Sequence, residues 1–401
     1  MKTASALALG LAAFLVALPL GAQTLGDALS NALASHPAAV AGAARAEAAE
    51  LLVEAANSLT PRPPSASLAT LSDRLGSHYG RQEWELELAA PLWLPGQKAS
   101  HAALAASTRE ALRASQQLLR LQLAGELREA WWAVAAARNG EQLAQRRAHT
   151  AASLEADVRR RFQAGELARV DANLAQSENL DAQAALATAR SERLQAEQVF
   201  YTLGGMAAPA ALAPEPAQAV GVAPAEMHPQ LAVDRAAVQL ARARLVVADA
   251  TPREAPELAL RVLRERSARS DPYANALGIK LTLPFSLGPR ARQESAAARA
   301  ELVQAEAQVG LQERKLAQET AKAHRERAVA QQQLGMARER LALTADSLAL
   351  AEKSFRLGES DLVALLRARA AAQEAEASLQ REEIALAASQ SRLNQSLGVL
   401  P

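Results

Sequence analysis

Apolar residues recur every three or four positions along most of this chain, the spacing of a helix face, but in two short stretches they recur every second position. Glu83-Trp84-Glu85-Leu86-Glu87-Leu88 alternates acid with apolar, and Leu277, Ile279, Leu281 and Leu283 alternate with Gly278, Lys280, Thr282 and Pro284. Both stretches predict strands with one apolar and one polar face. Each has a weaker partner upstream, Ser65 to Ser72 and Glu257 to Arg264, across the turn-rich segments Asp73 to Gln82 and Glu265 to Ala274. The expectation is two β-hairpins, at about residues 65–94 and 257–287, four strands in all.

Helical patterns surround each hairpin in the same order. The first runs from Leu25 to Leu59 in one half and from Ala225 to Ala250 in the other, each ended by prolines: Pro61, Pro63 and Pro64, then Pro252 and Pro256. After Pro95-Gly96 and after Gly288-Pro289 come two very long patterns, about Gln97 to Phe162 and Ala291 to Phe355. At 1.5 Å per residue each makes roughly 100 Å of helix, which can bury its stripe only against other long helices. In the second, Leu302, Val309, Leu316, Ala323 and Ala330 keep a seven-residue step, a four-residue step reaches Leu334, and Leu341, Leu348 and Phe355 resume the seven. Heptads predict coiled-coil packing, locally unwound at the stutter. Shorter helices follow, about Leu167 to Leu203 and Asp361 to Leu397, so two short helices stacked end to end could run beside one long helix.

The common order is a duplication. His36-Pro37 recurs as His228-Pro229, Pro91-Leu92-Trp93-Leu94 as Pro284-Phe285-Ser286-Leu287, Phe162 with Gly165 as Phe355 with Gly358, and Leu203-Gly204 as Leu397-Gly398, always at an offset of 192 to 194. It divides the chain into a first repeat at 23–206, an Ala/Pro-rich linker at 207–224 and a second repeat at 225–401. Between the long helix and the shorter one lies a repeated turn, Arg161-Phe162-Gln163-Ala164-Gly165-Glu166 and Ser354-Phe355-Arg356-Leu357-Gly358-Glu359. Glycine can take the left-handed conformation that closes a helix, and Glu166, Asp171, Glu359 and Asp361 suit the positive start of the next. Turn formation alone accounts for these residues, but not for both turns lying at the end away from the strands.

Composition narrows the class. Half the residues are hydrophobic yet only 3% are aromatic, a balance of long, thinly packed helices. Lys plus Arg is 44 against 43 for Asp plus Glu, which gives no general attraction to nucleic acid. Met1-Lys2, the apolar run Ala4 to Leu20 and Gly21-Ala22-Gln23 have the form of a secretory signal peptide at 1–22, the run being short for a membrane anchor. The absence of cysteine excludes disulfides and thiolate metal sites. No phosphate loop, catalytic cysteine or HExxH motif points to an enzyme, and no cofactor or metal site is expected. His36 and His228, each before a proline, read as helix starts rather than ligands, and Trp131-Trp132 as packing. Arg159-Arg160-Arg161 reads as a solvated face or a docking patch.

Tyr79, Trp84, Trp93, Tyr273 and Phe285 crowd the two hairpin regions, as interfacial girdles would, while Glu83, Glu85, Glu87, Lys280 and Thr282 suit a watery lumen. A soluble hairpin with one wet face has the same alternation. Four strands cannot close a barrel, and an open sheet edge is forbidden in lipid. A barrel shared among several chains removes the edges.

The signal peptide, the two halves, the hairpin in each, the helices of roughly 100 Å and the turn Phe-x-x-Gly-Glu together resemble the TolC-type outer-membrane efflux proteins, over essentially the whole mature chain. Pro91-Leu92-Trp93-Leu94-Pro95-Gly96-Gln97-Lys98 and Leu281-Thr282-Leu283-Pro284-Phe285-Ser286-Leu287-Gly288 look most like the CzcC-like heavy-metal branch. The resemblance implies a mostly α chain with a small membrane β part. It implies a homotrimer with a 12-stranded β-barrel in outer-membrane lipid, continued by a coiled-coil α-helical barrel across the periplasm of a Gram-negative-type cell. It further implies a periplasmic adaptor and an inner-membrane transporter of the RND type as partners, and a passive exit duct, with heavy-metal cations as one candidate cargo. Phe162, Gly165, Glu166, Phe355, Gly358 and Glu359 then fall at a periplasmic tip where adaptors dock, and Asp171, Asp361 and Arg367 near an entrance constriction. In the second half the family's acidic positions hold Ala364 and Arg367, so Asp361 or Glu359 would have to substitute. A periplasmic coiled-coil adaptor or scaffold is the alternative; it should carry Gly-rich β-domains around a single helical hairpin, where this chain has two.

Overall fold

The computed structural model describes residues 24–76, 78–217, 227–285 and 288–401. The expected signal peptide, the linker beyond residue 217, the first two residues assigned to the second repeat and the Ser286-Leu287 landmark lie outside the described residues. Eleven elements follow in order among them: α1 Leu25–Ser35, α2 Pro37–Ala56, β1 Ser65–Ser72, β2 Gln82–Pro91, α3 Gln97–Gln163, α4 Arg169–Gly204, α5 Pro229–Ala250, β3 Glu257–Arg266, β4 Ala274–Thr282, α6 Pro289–Arg356 and α7 Leu362–Ser396.

The stretch expected as one helix from Leu25 to Leu59 is two. His36 ends α1 in an extended conformation, and its Nδ1 accepts from the Ala38 amide at 3.2 Å to cap α2, which opens on Pro37. A proline belongs in the first turn, where its missing N–H is one of the unpaired groups anyway. His228 repeats the arrangement at the start of α5, accepting from the Gln230 amide at 3.1 Å.

The long helices α3 and α6, of 67 and 68 residues, form the spine. α4 lies along α3 and α7 along α6, while α2 extends the first pair and α5 packs against both α3 and α6. Of the α6 heptad stripe, Leu316, Ala323, Ala330, Leu334 and Phe355 are buried and Leu302, Val309, Leu341 and Leu348 half-buried, on both sides of the stutter.

The four strands form one antiparallel sheet in the order β1-β2-β3-β4. The two hairpins therefore join through β2 and β3, from Gln82 opposite Arg266 to Pro91 opposite Glu257. That pairing ties the repeats together at one end. At mid-length a cluster does so: Leu25, Ala28 and Leu29 of α1, Leu123, Leu127 and Trp131 of α3, Phe200 of α4 and Ala388 of α7 bury one another. Trp131 packs on Phe200 with ring centroids 5.8 Å apart, and the Trp132 indole N–H donates to the Ser391 hydroxyl at 2.9 Å. A third tie is polar. Arg128, buried on α3, forks onto the Glu215 carboxylate of the linker (2.7 and 2.9 Å) and donates to the Val399 carbonyl at 2.9 Å. Arg138 likewise holds the linker through the Ala208, Pro209 and Ala210 carbonyls.

Removing one member of a buried ion pair strands the other, at a cost of about 3–5 kcal/mol, whereas replacing both with apolar groups is close to neutral. Arg128→Ala should thus lower thermal stability markedly, and Arg128→Met combined with Glu215→Leu should restore most of it. Equal losses in both, followed by circular dichroism, would reject the clamp. The His228 cap predicts a pH dependence. Burial holds its imidazole below the ordinary value, against a smaller upward pull from the Gln395 backbone. The folded state thus binds this proton less readily than the unfolded chain, so the stabilisation is whole above about pH 6.5 and is lost as pH falls through the window beneath. His228→Asn keeps a capping side chain without titrating, and melting curves between about pH 5 and 7.5 should show a shallower acid-side loss.

Candidate functional site

Two regions at opposite ends concentrate the residues singled out in the sequence. At the end away from the sheet, both repeated turns close their long helices in the same way. Gly165 has φ 80 and Gly358 φ 75, the left-handed region that glycine enters without penalty. The Gly165 amide donates to the Phe162 carbonyl (3.0 Å) and the Glu166 amide to that of Arg161 (2.9 Å); Gly358 to Phe355 (3.2 Å) and Glu359 to Ser354 (3.0 Å) match them. This double bond satisfies carbonyls that a helix end otherwise leaves unpaired.

The next helices begin differently. Asp361 caps α7 by accepting from the Ala364 amide at 2.8 Å. At α4 the cap position is Ala168, and Asp171 reaches back to accept from the Ala168 amide at 3.2 Å. A full capping box has both bonds; each turn keeps one. The acid absent at Ala364 is thus replaced by one three residues earlier. Both carboxylates stand beside a helix start, and Arg367 is exposed one turn into α7.

The two phenylalanines part company. Phe355 is 6% exposed, in a cluster with Leu154, Val158, Ala175, Leu362 and Leu365 that binds both helical hairpins together. Phe162 is 38% exposed. The Arg161 guanidinium lies 5.0 Å from the Phe355 ring centroid and pairs with Glu166 at 3.2 Å. Arg160 pairs with Asp157 at 3.1 Å, and Arg159 with Glu155. All three arginines of the run therefore have acidic partners, which leaves no uncompensated cationic patch at that turn.

At the other end, the sheet register sorts residues onto two faces. Residues paired across neighbouring strands share a face. On one lie Glu83, Glu85 and Glu87 with Glu257, Arg261, Glu265, Lys280 and Thr282. Arg261 pairs with Glu85 at 3.1 Å and Lys280 with Glu87 at 3.3 Å. The other face carries Leu68, Leu86, Leu88, Leu258, Leu260, Val262, Leu277, Ile279 and Leu281, every one exposed. The apolar side thus faces outward while the three β2 acids are half-buried, the reverse of a sheet stable in water. Aromatic residues mark both ends: Tyr79, Trp84 and Tyr273 near the strand turns, Trp93 and Phe285 where the strands meet the helices. The Trp93 indole donates to the Ser58 carbonyl at 3.2 Å.

Sequence reasoning did not find the Arg128, Glu215, Gln395 and Val399 clamp, because its members are far apart in the chain and none belongs to a motif. A lone acid in an Ala/Pro-rich linker was the one available signal.

Comparison with known proteins agrees with this plan. The family described as outer membrane efflux protein is matched over residues 225–399. No curated protein matches in sequence. Among solved structures the chain is similar to CusC, studied for the conformational changes of folding and transmembrane channel formation, with a TM-score of 0.79 at 15% identity over 94% of this chain and 92% of that one. It is similar also to the outer membrane protein VceC of Vibrio cholerae (0.75, 16%, 94% and 96%). The MtrE outer membrane channel of Neisseria gonorrhoeae is a third (0.74, 18%, 94% and 89%). The chain thus matches the outer membrane efflux protein family over residues 225–399 and shares the fold of these solved channels along most of its length.

Proposed function

We propose that three copies of this chain form a passive outer-membrane exit duct, fed by an inner-membrane pump through a periplasmic adaptor. The single observation that carries this reading is the inside-out sheet with two open edges. Among the described residues β1 and β4 each lack a neighbouring strand on one side, and the exposed face is apolar. In lipid those edges must be paired, and β4 of one copy beside β1 of the next pairs them all. The chain already contains the equivalent join between repeats, β2 to β3.

The helices support the same closure. α3 packs against α5 and α7 of the other repeat, whereas α6, its repeat equivalent, packs chiefly on α5 and α7 of its own. Met336, Leu343 and Leu350 of α6 are left exposed, as are Leu180, Leu194 and Val199 of α4. A second copy covers both. The acid-rich face of the sheet then lines the lumen, a surface suited to cations, including heavy-metal ions, and the paired turns form the periplasmic mouth that meets the adaptor.

Purified chain in planar bilayers should give discrete trimer conductances; protein that inserts nowhere and fractionates with the soluble periplasm would reject the duct in favour of the adaptor reading. For the mouth, a Cβ added at Gly165 or Gly358 meets nothing within 4 Å, so the strain of a substitution there is that of the positive φ alone. Gly358→Val should cost about 1–2 kcal/mol locally and impair adaptor-dependent efflux while conductance persists. Gly358→Asn, which tolerates that backbone, should retain most efflux. Efflux unchanged by Gly165→Val and Gly358→Val together would remove the turns from the docking role.

A further inference from the structure

Read along the outward face of β3, the side chains run Leu258, Leu260, Val262, Arg264, Arg266. Three apolar residues give way to two arginines on the same face, at the strand end farthest from the helices. The neighbouring strands change at the same level. On β2 the face passes from Leu88 and Leu86 to Trp84, opposite Arg264, and Gln82, opposite Arg266. On β4 it passes from Ile279 and Leu277 to Asn275, also opposite Arg264. If the apolar rows lie in hydrocarbon, Arg264 and Arg266 lie where the hydrocarbon ends.

Both guanidinium groups are held over one ring. The Arg264 and Arg266 Cζ atoms stand 4.5 and 4.9 Å from the Tyr273 ring centroid, and the Tyr273 hydroxyl donates to Gln82 Oε1 at 2.5 Å. Arg266 Nε also donates to the Gly80 carbonyl at 3.2 Å. Stacking occupies the planar faces and leaves N–H edges free. Neither arginine has a carboxylate partner among the described residues, although Arg261, farther in on the opposite face, does. Arg269, whose amide is bonded to the Tyr79 carbonyl, adds a third guanidinium in the adjoining loop without an acidic partner among the described residues.

Two preoriented cations without an internal anion, at the edge of an apolar face, need an anion from outside. We infer that Arg264 and Arg266, steadied by Tyr273, form a binding site for the phosphate group of a phosphorylated glycolipid in the outer leaflet, whose acyl chains lie along Val262, Leu277 and Leu86. Guanidinium and phosphate match as paired N–H donors and oxygens, and indole and phenol rings favour the same interfacial depth. This inference rests on the outer-membrane reading above.

The test uses the full chain in lipid nanodiscs, with native mass spectrometry counting glycolipid molecules retained per trimer and planar-bilayer conductance reporting insertion separately. The phosphorylated glycolipid should be retained about tenfold more than its dephosphorylated form. Arg264→Gln, which breaks no internal hydrogen bond recorded for that side chain, and Arg264→Gln with Arg266→Gln should abolish the preference while conductance remains. Arg264→Lys with Arg266→Lys, keeping charge without the planar fork, should retain part of it. Equal retention of both lipid forms by an inserted, conducting trimer would overturn the site and leave the duct intact. Loss of the preference in millimolar inorganic phosphate would overturn it too, by showing a site for a free anion. Failure to insert or conduct would sink the outer-membrane reading and the site with it.

Discussion

The structure turns on the hydrogen-bonding groups along two strands. β1 and β4 each present a row of N–H and C=O groups with no neighbouring strand among the described residues, beside a face of exposed leucine, isoleucine and valine. Water would satisfy the edges but penalise the face; lipid would accept the face but penalise the edges. One copy is therefore at home in neither solvent. The proposed closure on further copies would resolve both demands, and the rest of the architecture can be read as what would make that closure repeatable.

Duplication supplies the repeatability. Because β2 already joins β3 across the repeats, the contact needed between copies resembles one that the chain makes within itself. The long helices carry the same logic away from the sheet. Small buried alanines, Ala323 and Ala330 on α6 and Ala175 and Ala182 on α4, let each helix lie close to its neighbours without a wide core. Large side chains are kept for the few levels where the repeats must not slide. One is the Trp131 and Phe200 cluster, another the Phe355 cluster beside the turns. The Arg128 clamp works at the first of these levels, tying linker and C-terminal segment to α3.

Much of this was legible because it is periodic. Alternation at Glu83 to Leu88 gave strand and face together, since a strand fixes its faces by parity. The heptads of α6 gave the buried stripe because a helix that long has no other way to hide apolar residues. The repeated Phe-x-x-Gly-Glu gave the turn, glycine being the residue that enters the left-handed region freely. What escaped was aperiodic or long-range. The helix start read at His36-Pro37 was right, but the continuous helical pattern from Leu25 to Leu59 concealed that it ends one helix and begins another. The β2 to β3 pairing joins residues as far apart as Gln82 and Arg266, and no local pattern specifies that register.

The two turns show how far repeat equivalence can be pressed. Position by position they look unlike, with Asp171 matching Ala364 and Asp361 matching Ala168. The hydrogen bonds show otherwise: each helix start keeps one carboxylate, bonded to one backbone amide, and only the direction of the bond is reversed. Negative charge at the two turns is therefore kept in amount and displaced by about one helical turn along the chain. Around a closed ring the acids would alternate between two depths. A constriction built that way need not place all its charges in one plane, and the buried Phe355 beside the exposed Phe162 gives the surrounding surface the same alternation.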